Sequence, residues 1–302
     1  LAAAPGAYRA AGIALAFFGA VFFSLKGVTT KLIYAYGVDA VTLLALRMLF
    51  SVPFFVAVAA WSRREPAAPI APRDRWLILG LGLLSYYLAS FLDFLGLQFI
   101  SATLERLTLY LYPTVVLVLS VLFLKAPIRG REITALALSY AGIALVLVVG
   151  GEVGGANVPL GAALVFASAV TYSIYLVAGT QVIRRVGSLR FTAYGMTFAS
   201  AVCIAQFLLL RPLDALVLPW TAYAWFVVLA IVHTVLPVFM TAEALKRIGA
   251  TQVAIIGAIG PVTTMAVDWM VLGERLAPLQ VAGAGLVLAG VLLVSLAPRR
   301  AS

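Results

Sequence analysis

From Ala135 to Val149 almost every position is apolar, and runs of this kind return along the whole chain. A helix needs about 20 mostly apolar residues to cross roughly 30 Å of hydrocarbon. Cutting the sequence where charges, Pro and Gly cluster gives ten such runs. They extend from Ala10 to Tyr34, Ala40 to Trp61, Trp76 to Ile100, Ala102 to Leu124, Ile133 to Gly150, Pro159 to Ile183, Phe191 to Leu210, Trp220 to Leu245, Ala250 to Leu272 and Pro278 to Ala297. Strands of a membrane barrel would alternate polar and apolar positions over about ten residues. These runs do not, so the expected fold is an all-α, polytopic membrane protein. With 64% apolar and 11% charged residues and a mean hydropathy of +1.11, a water-soluble globule and a disordered chain are both excluded. The one cysteine, Cys203, lies inside an apolar run and offers neither a disulfide framework nor a thiolate metal site.

The net charge of +10 takes its meaning from where Lys and Arg fall. With a cytoplasmic N-terminus, Arg9, Arg63, Arg64, Arg73, Arg75, Lys125, Arg129, Arg131, Arg184, Arg185, Arg190, Lys246, Arg247, Arg299 and Arg300 all lie on the cytoplasmic side. Only Lys31, Arg106, Arg211 and Arg275 fall outside. Fifteen against four is a topology signal, which places both termini in the cytoplasm and gives no reason to expect a nucleic-acid partner. Loops are short and leave no room for a soluble catalytic domain, so the partners expected are the lipid bilayer and a small-molecule substrate, with no cofactor.

Sliding the chain on itself by 148 residues aligns Ala102, Thr103 and Pro113 with Ala250, Thr251 and Pro261. Further on, Ala141, Gly142, Leu145 and Val146 meet Ala289, Gly290, Leu293 and Val294. Two repeats follow, residues 1–150 and 151–302. Five spans per repeat is an odd number, so the second must enter the membrane inverted, the plan of secondary transporters. Two five-span halves, each with an Ala-Thr-led helix carrying Pro113 or Pro261, resemble the EamA repeats of the drug/metabolite transporter superfamily. Leu46-Arg47, the Ala242-Glu243-Ala244-Leu245 ending of span eight and Gly273-Glu274 after span nine add to the resemblance. The first half departs from it in having Lys125-Ala126 where the second has Gly273-Glu274. The resemblance implies a carrier of the bacterial inner membrane working by alternating access, most similar to the bacterial exporters of aromatic amino acids. Other metabolites or drugs are the alternative cargo.

Depth selects candidate site residues. Lys26 and Asp93 both sit at about 24 to 26 Å from the cytoplasmic face, the depth of a gating or carboxylate-holding pair, with a fixed structural pair or Lys26 snorkelling to the outer surface as the alternatives. Arg47, about 12 Å below the outer face, is placed to hold a carboxylate, to pair with Asp39 or to cap backbone carbonyls. His233, the only histidine, lies about 20 Å from the outer face, and the repeat offset puts Ser85 opposite it. Tyr86, Tyr87, Tyr110, Tyr112, Tyr172 and Tyr175 are mostly too deep for an interfacial belt. With hydroxyls from Ser24, Ser85 and Thr171, they suit a substrate with an apolar ring and polar ends; packing between helices is the alternative. Consecutive tyrosines cannot share a helix face, so only some of them line one cavity. Pro113 and Pro261 are expected to kink their spans in mid-helix. Glu243 is spaced for a local pair with Lys246 or Arg247, and Glu105 and Asp268 read as solvated rim charges. His-Glu-x-x-His, Gly-x-Ser-x-Gly and Gly-x-Gly-Asp are absent, which argues against an intramembrane enzyme.

Overall fold

The computed structural model describes residues 5–62, 69–100, 105, 108–125, 127–150, 157–260, 262–263, 266–267 and 278–295, and no strand occurs among them. The helices are α1 Pro5–Ser24, α2 Lys26–Tyr34, α3 Ala40–Ser62, α4 Pro72–Gly82, α5 Ser90–Phe99, α6 Tyr112–Leu124, α7 Gly130–Gly150, α8 Val158–Val186, α9 Ser188–Leu210, α10 Trp220–Ala230, α11 Leu236–Ile248, α12 Ala250–Gly257 and α13 Pro278–Ser295. π-helical segments, Leu83–Ala89 and Ile231–Val235, join α4 to α5 and α10 to α11. Among the described residues, six stretches are long and apolar enough to cross a membrane: Gly6–Tyr34, Ala40–Ser62, Pro72–Phe99, Val158–Val186, Ser188–Leu210 and Trp220–Ile248. Tyr112–Leu124 and Val281–Leu293 are shorter apolar helices. Side chains such as Phe123 and Leu209, 75% and 83% exposed, give the bundle an outer surface suited to lipid rather than water.

Local chemistry sets the ends of these elements. Asn157 caps α8 by accepting from the Leu160 N–H at 3.2 Å, and Pro159 sits in the first turn, where a missing N–H costs nothing. Gly187 and Gly249, with φ of +89° and +81°, are single-residue junctions between α8 and α9 and between α11 and α12. The start of α3 is capped by the Asp39 carboxylate, which accepts from the Val41 N–H and the Thr42 hydroxyl, both at 2.8 Å.

In lipid, helices associate through close packing rather than through expulsion of water, and small residues allow that approach. The paired Ala-Gly register of the sequence is used in this way. α7 and α13 pack on each other, and a Cβ on Gly142 would strike the Gly283 carbonyl, while one on Gly290 would lie 2.6 Å from the Ser139 hydroxyl. α1 runs antiparallel to α11, with Gly12 against Arg247 and Ile248 and Gly19 against Pro237 and Met240. The equivalent pairing in the other half sets α8 against α5, with Gly161 against Ile100 and Gly96 against Val165. Each half therefore sends its first helix onto the third span of the other. The irregularities recur as well, since the π segments begin at Leu83 and Ile231, and turns interrupt the chain at 110–111 and 258–259, both pairs 148 residues apart.

Pro113 stands at the second position of α6, directly after the turn at 110–111, and has no N–H to bond the Leu109 carbonyl. One expectation is corrected. Glu105 is 4% exposed, so it is buried and not a solvated rim charge. Pro261 and Asp268 lie outside the described residues.

Candidate functional site: a cavity between the halves

A cavity of about 100 Å³ opens where α1, the π segments, α6, α8, α11 and α12 converge. Ser24, Lys26, Arg47, Ser85, Tyr86, Asp93, Tyr110, Tyr172, Tyr175 and His233 all line it, so ten of the residues selected by depth come together in space. Tyr87 does not line it. Successive helical side chains diverge, and Tyr87 instead stacks on Phe91 with ring centroids 6.2 Å apart. Thr171 also stays out of the lining and bonds to the carbonyls of Ala167 and Ser168.

Part of the lining is aromatic. Tyr86 and Tyr175 share a hydrogen bond between their hydroxyls, with ring centroids 5.2 Å apart. The chain of rings continues from Tyr175 to Tyr172 at 5.9 Å, to Tyr112 at 5.5 Å and on to Tyr110 at 6.3 Å, while Phe23 stacks on Tyr172. Tyr112 is anchored by donating to the Ala254 carbonyl at 3.0 Å. These spacings suit offset or edge-to-face aromatic contact.

The lining is also charged, with Lys26 Nζ 4.8 Å from the centre of the Phe23 ring. Lys26 lies at the break between α1 and α2, and its Nζ meets Asp93 Oδ2 at 2.5 Å, both side chains being almost wholly buried. Arg47, 3% exposed, donates from Nη2 to the Ser90 hydroxyl at 3.1 Å. It does not pair with Asp39, which binds Arg211 at 3.0 Å instead. Phe94 lies between the cations, its ring centre 5.1 Å from Lys26 Nζ and 5.2 Å from Arg47 Cζ. Two buried atoms here have no hydrogen-bond partner, Arg47 Nε and Asp93 Oδ1.

Both π segments contribute to the lining. The neighbours Ser85 and Tyr86 in the first segment, and their equivalents His233 and Thr234 in the second, all reach the lining. Pro237 lacks the N–H that would bond the His233 carbonyl, which gives the second segment a cause. The His233 Nδ1 is 2.7 Å from the Phe22 carbonyl; since a carbonyl only accepts, Nδ1 carries the proton and Nε2 is the titrating nitrogen. Near the C-terminal end of α11, Glu243 pairs with Arg247 at 2.7 Å, as its spacing predicts, and accepts from the Ser188 hydroxyl as well. Sequence reading passed over Phe23, Ser90, Ser168 and Thr234, which also line the cavity. It placed Tyr112 at depth without selecting it. His, Cys, Asp and Glu form no metal-binding group among the described residues.

A family model described as the EamA-like transporter family matches residues 10–148 and again 159–296, two stretches offset by 148 to 149 residues. The chain is 32% identical over 290 residues to the protein named Uncharacterized transporter YcbK of Bacillus subtilis (strain 168), covering 91% of this chain and 90% of that one. It is 26% identical over 270 residues to an uncharacterized transporter of Archaeoglobus fulgidus, covering 89% and 92%. A solved crystal structure superposes with a TM-score of 0.80 at 18% identity, covering 95% of this chain and 99% of that chain, which is a likeness of fold.

Proposed function

Since the chain belongs to the EamA-like transporter family of multi-pass membrane proteins, we propose that it is a secondary transporter, not an enzyme, exporting small amphipathic metabolites. The cargo in this reading is foremost amino acids with aromatic or bulky apolar side chains, moved across the bacterial inner membrane by alternating access. Residues 1–150 and 151–302 form two inverted five-helix repeats, and the site lies between them. One observation carries the reading: one cavity is lined by residues of both sequence halves, tyrosine rings together with Lys26, Arg47 and Asp93. An apolar body with charged ends fits such a lining. The repeated offset of π segments and turns supports the inverted-repeat plan, because carriers of this design put substrate beside irregular helices at the repeat interface. The choice of aromatic amino acids also rests on resemblance to the bacterial exporter YddG.

The test is counterflow of labelled amino acids into proteoliposomes holding the purified full-length protein. A carrier accumulates label transiently against unlabelled substrate, whereas a channel gives no counterflow and an enzyme consumes its substrate. Tyr86→Ala and Tyr110→Ala should weaken transport of aromatic substrates by more than that of small ones, because they remove ring contacts selectively. Equal loss for every substrate, in step with protein abundance, overturns a substrate-facing role for these rings.

A further inference from the structure

The charged part of the cavity lining is incompletely satisfied in a specific way. A guanidinium that is 3% exposed has one neutral partner, Ser90, and its Nε donor meets nothing. A carboxylate that is 2% exposed has Lys26 on Oδ2 and nothing on Oδ1. Orphaned buried polar atoms carry a desolvation cost that the fold recovers only when a partner arrives. One orphan is a donor on a cation and the other an acceptor on an anion, and both residues line the same cavity. They are also close together along the fold, since Ser90, which holds Arg47, lies one turn before Asp93 on α5.

We infer that Arg47 and Asp93 are the two poles of a subsite for a zwitterion: Arg47 takes the substrate's α-carboxylate and Asp93 Oδ1 its α-ammonium. The inference rests on the proposed amino-acid reading and sharpens it, because it assigns the substrate's polar head to named atoms and leaves the tyrosine rings for the side chain. The consequences for selectivity follow from charge. A simple amine would add a cation to a lining that already holds two cations and one anion, and would leave Arg47 unpaired. A simple acid would answer Arg47 but leave Asp93 Oδ1 without a donor. Lys26 fixes the Asp93 carboxylate through its other oxygen and so aims Oδ1.

Three analogues separate these possibilities: phenylalanine, phenethylamine and 3-phenylpropanoate, each assayed for thermal stabilisation of the detergent-purified full chain and for competition in phenylalanine counterflow. Phenylalanine should bind at least tenfold more tightly than either analogue. In Arg47→Gln, preference for phenylalanine over phenethylamine should shrink at least tenfold, and in Asp93→Asn preference over 3-phenylpropanoate should shrink similarly. These are ratios within one variant, read only from protein that elutes as a folded species. If a variant does not fold, Arg47→Lys and Asp93→Glu, which keep charge but move the contact, should each weaken phenylalanine more than the matching truncated analogue. If 3-phenylpropanoate or phenethylamine equals phenylalanine in the parent protein, the zwitterion subsite is overturned while the carrier reading stands. If none of the three binds and no amino acid gives counterflow, the amino-acid reading itself falls.

Discussion

At the scale of single residues, the charges outside the membrane spans behave differently from those within the cavity. Asp39, ahead of α3, is partly buried, which pushes its pKa up, but bonds from Arg211, the Thr42 hydroxyl and the Val41 and Thr42 N–H groups outweigh that and hold it below the ordinary carboxylate range. A depressed carboxylate contributes stability that is fully present above its unfolded value, about 3.9, and that is lost as pH falls through its lower folded value. Thermal unfolding of the parent protein and of Asp39→Ala should therefore differ by about 1 kcal/mol at neutral pH, chiefly the helix cap, and the gap should narrow as pH falls from about 4 through the lower folded value, a neutral carboxyl keeping part of the cap. The half-exposed ion pair with Arg211 adds little. A difference that persists unchanged at low pH would falsify the assignment. Depth counting found Lys26, Arg47, Asp93 and His233 because an ionisable group inside an apolar run is conspicuous. It passed over Phe23 and Ser90 because an ordinary apolar or hydroxyl residue in such a run looks the same whether it faces lipid, protein or a cavity.

Among the elements, the lengths and ends of the helices were readable and the breaks inside them were not. Capping groups, glycine junctions and charge clusters mark ends, whereas a π turn costs little in composition. Leu83–Ala89 contains no proline and nothing in its residues announces it. By contrast, the turn at 110–111 lies within the four residues ahead of Pro113, where a missing N–H disrupts a helix. The same turns allow tight seating between α6 and α12. A Cβ on Gly257 would overlap the Tyr112 hydroxyl, and one on Gly260 would overlap that of Tyr110. Gly257→Ala should push the Tyr112 ring toward the cavity and break its bond to the Ala254 carbonyl. The expected cost is about 1 to 3 kcal/mol from overpacking, with a fall in transport of bulky aromatic substrates beyond that of small ones. Adding Tyr112→Phe, which removes the colliding hydroxyl, should restore much of both. Melting temperature and counterflow of the double variant check this, and no recovery would place the defect elsewhere.

For the molecule as a whole, orientation and energy coupling are the open properties that physical argument reaches. The fifteen-to-four distribution of basic residues predicts cytoplasmic termini and an external loop around Ala156. In a Cys203→Ser background, a cysteine at 156 should react with an impermeant thiol reagent in intact cells and one at 301 should not; the reverse pattern overturns the topology. Coupling turns on whether any ionisable group is able to change protonation between the two access states. Asp93 is held by Lys26 at 2.5 Å, and Glu243, near the end of α11, is engaged by Arg247 and Ser188. Among the described groups of the cavity, that leaves the His233 Nε2, on a ring fixed by the Phe22 carbonyl. A carrier in which no group switches lets substrate run down its own gradient, and facilitated, reversible transport is the expected behaviour. Proteoliposomes with equal substrate on both sides and an imposed pH difference should show no net flux, and His233→Gln should leave counterflow intact. Uphill accumulation driven by the pH difference and abolished by His233→Gln at normal expression would instead make His233 the coupling residue.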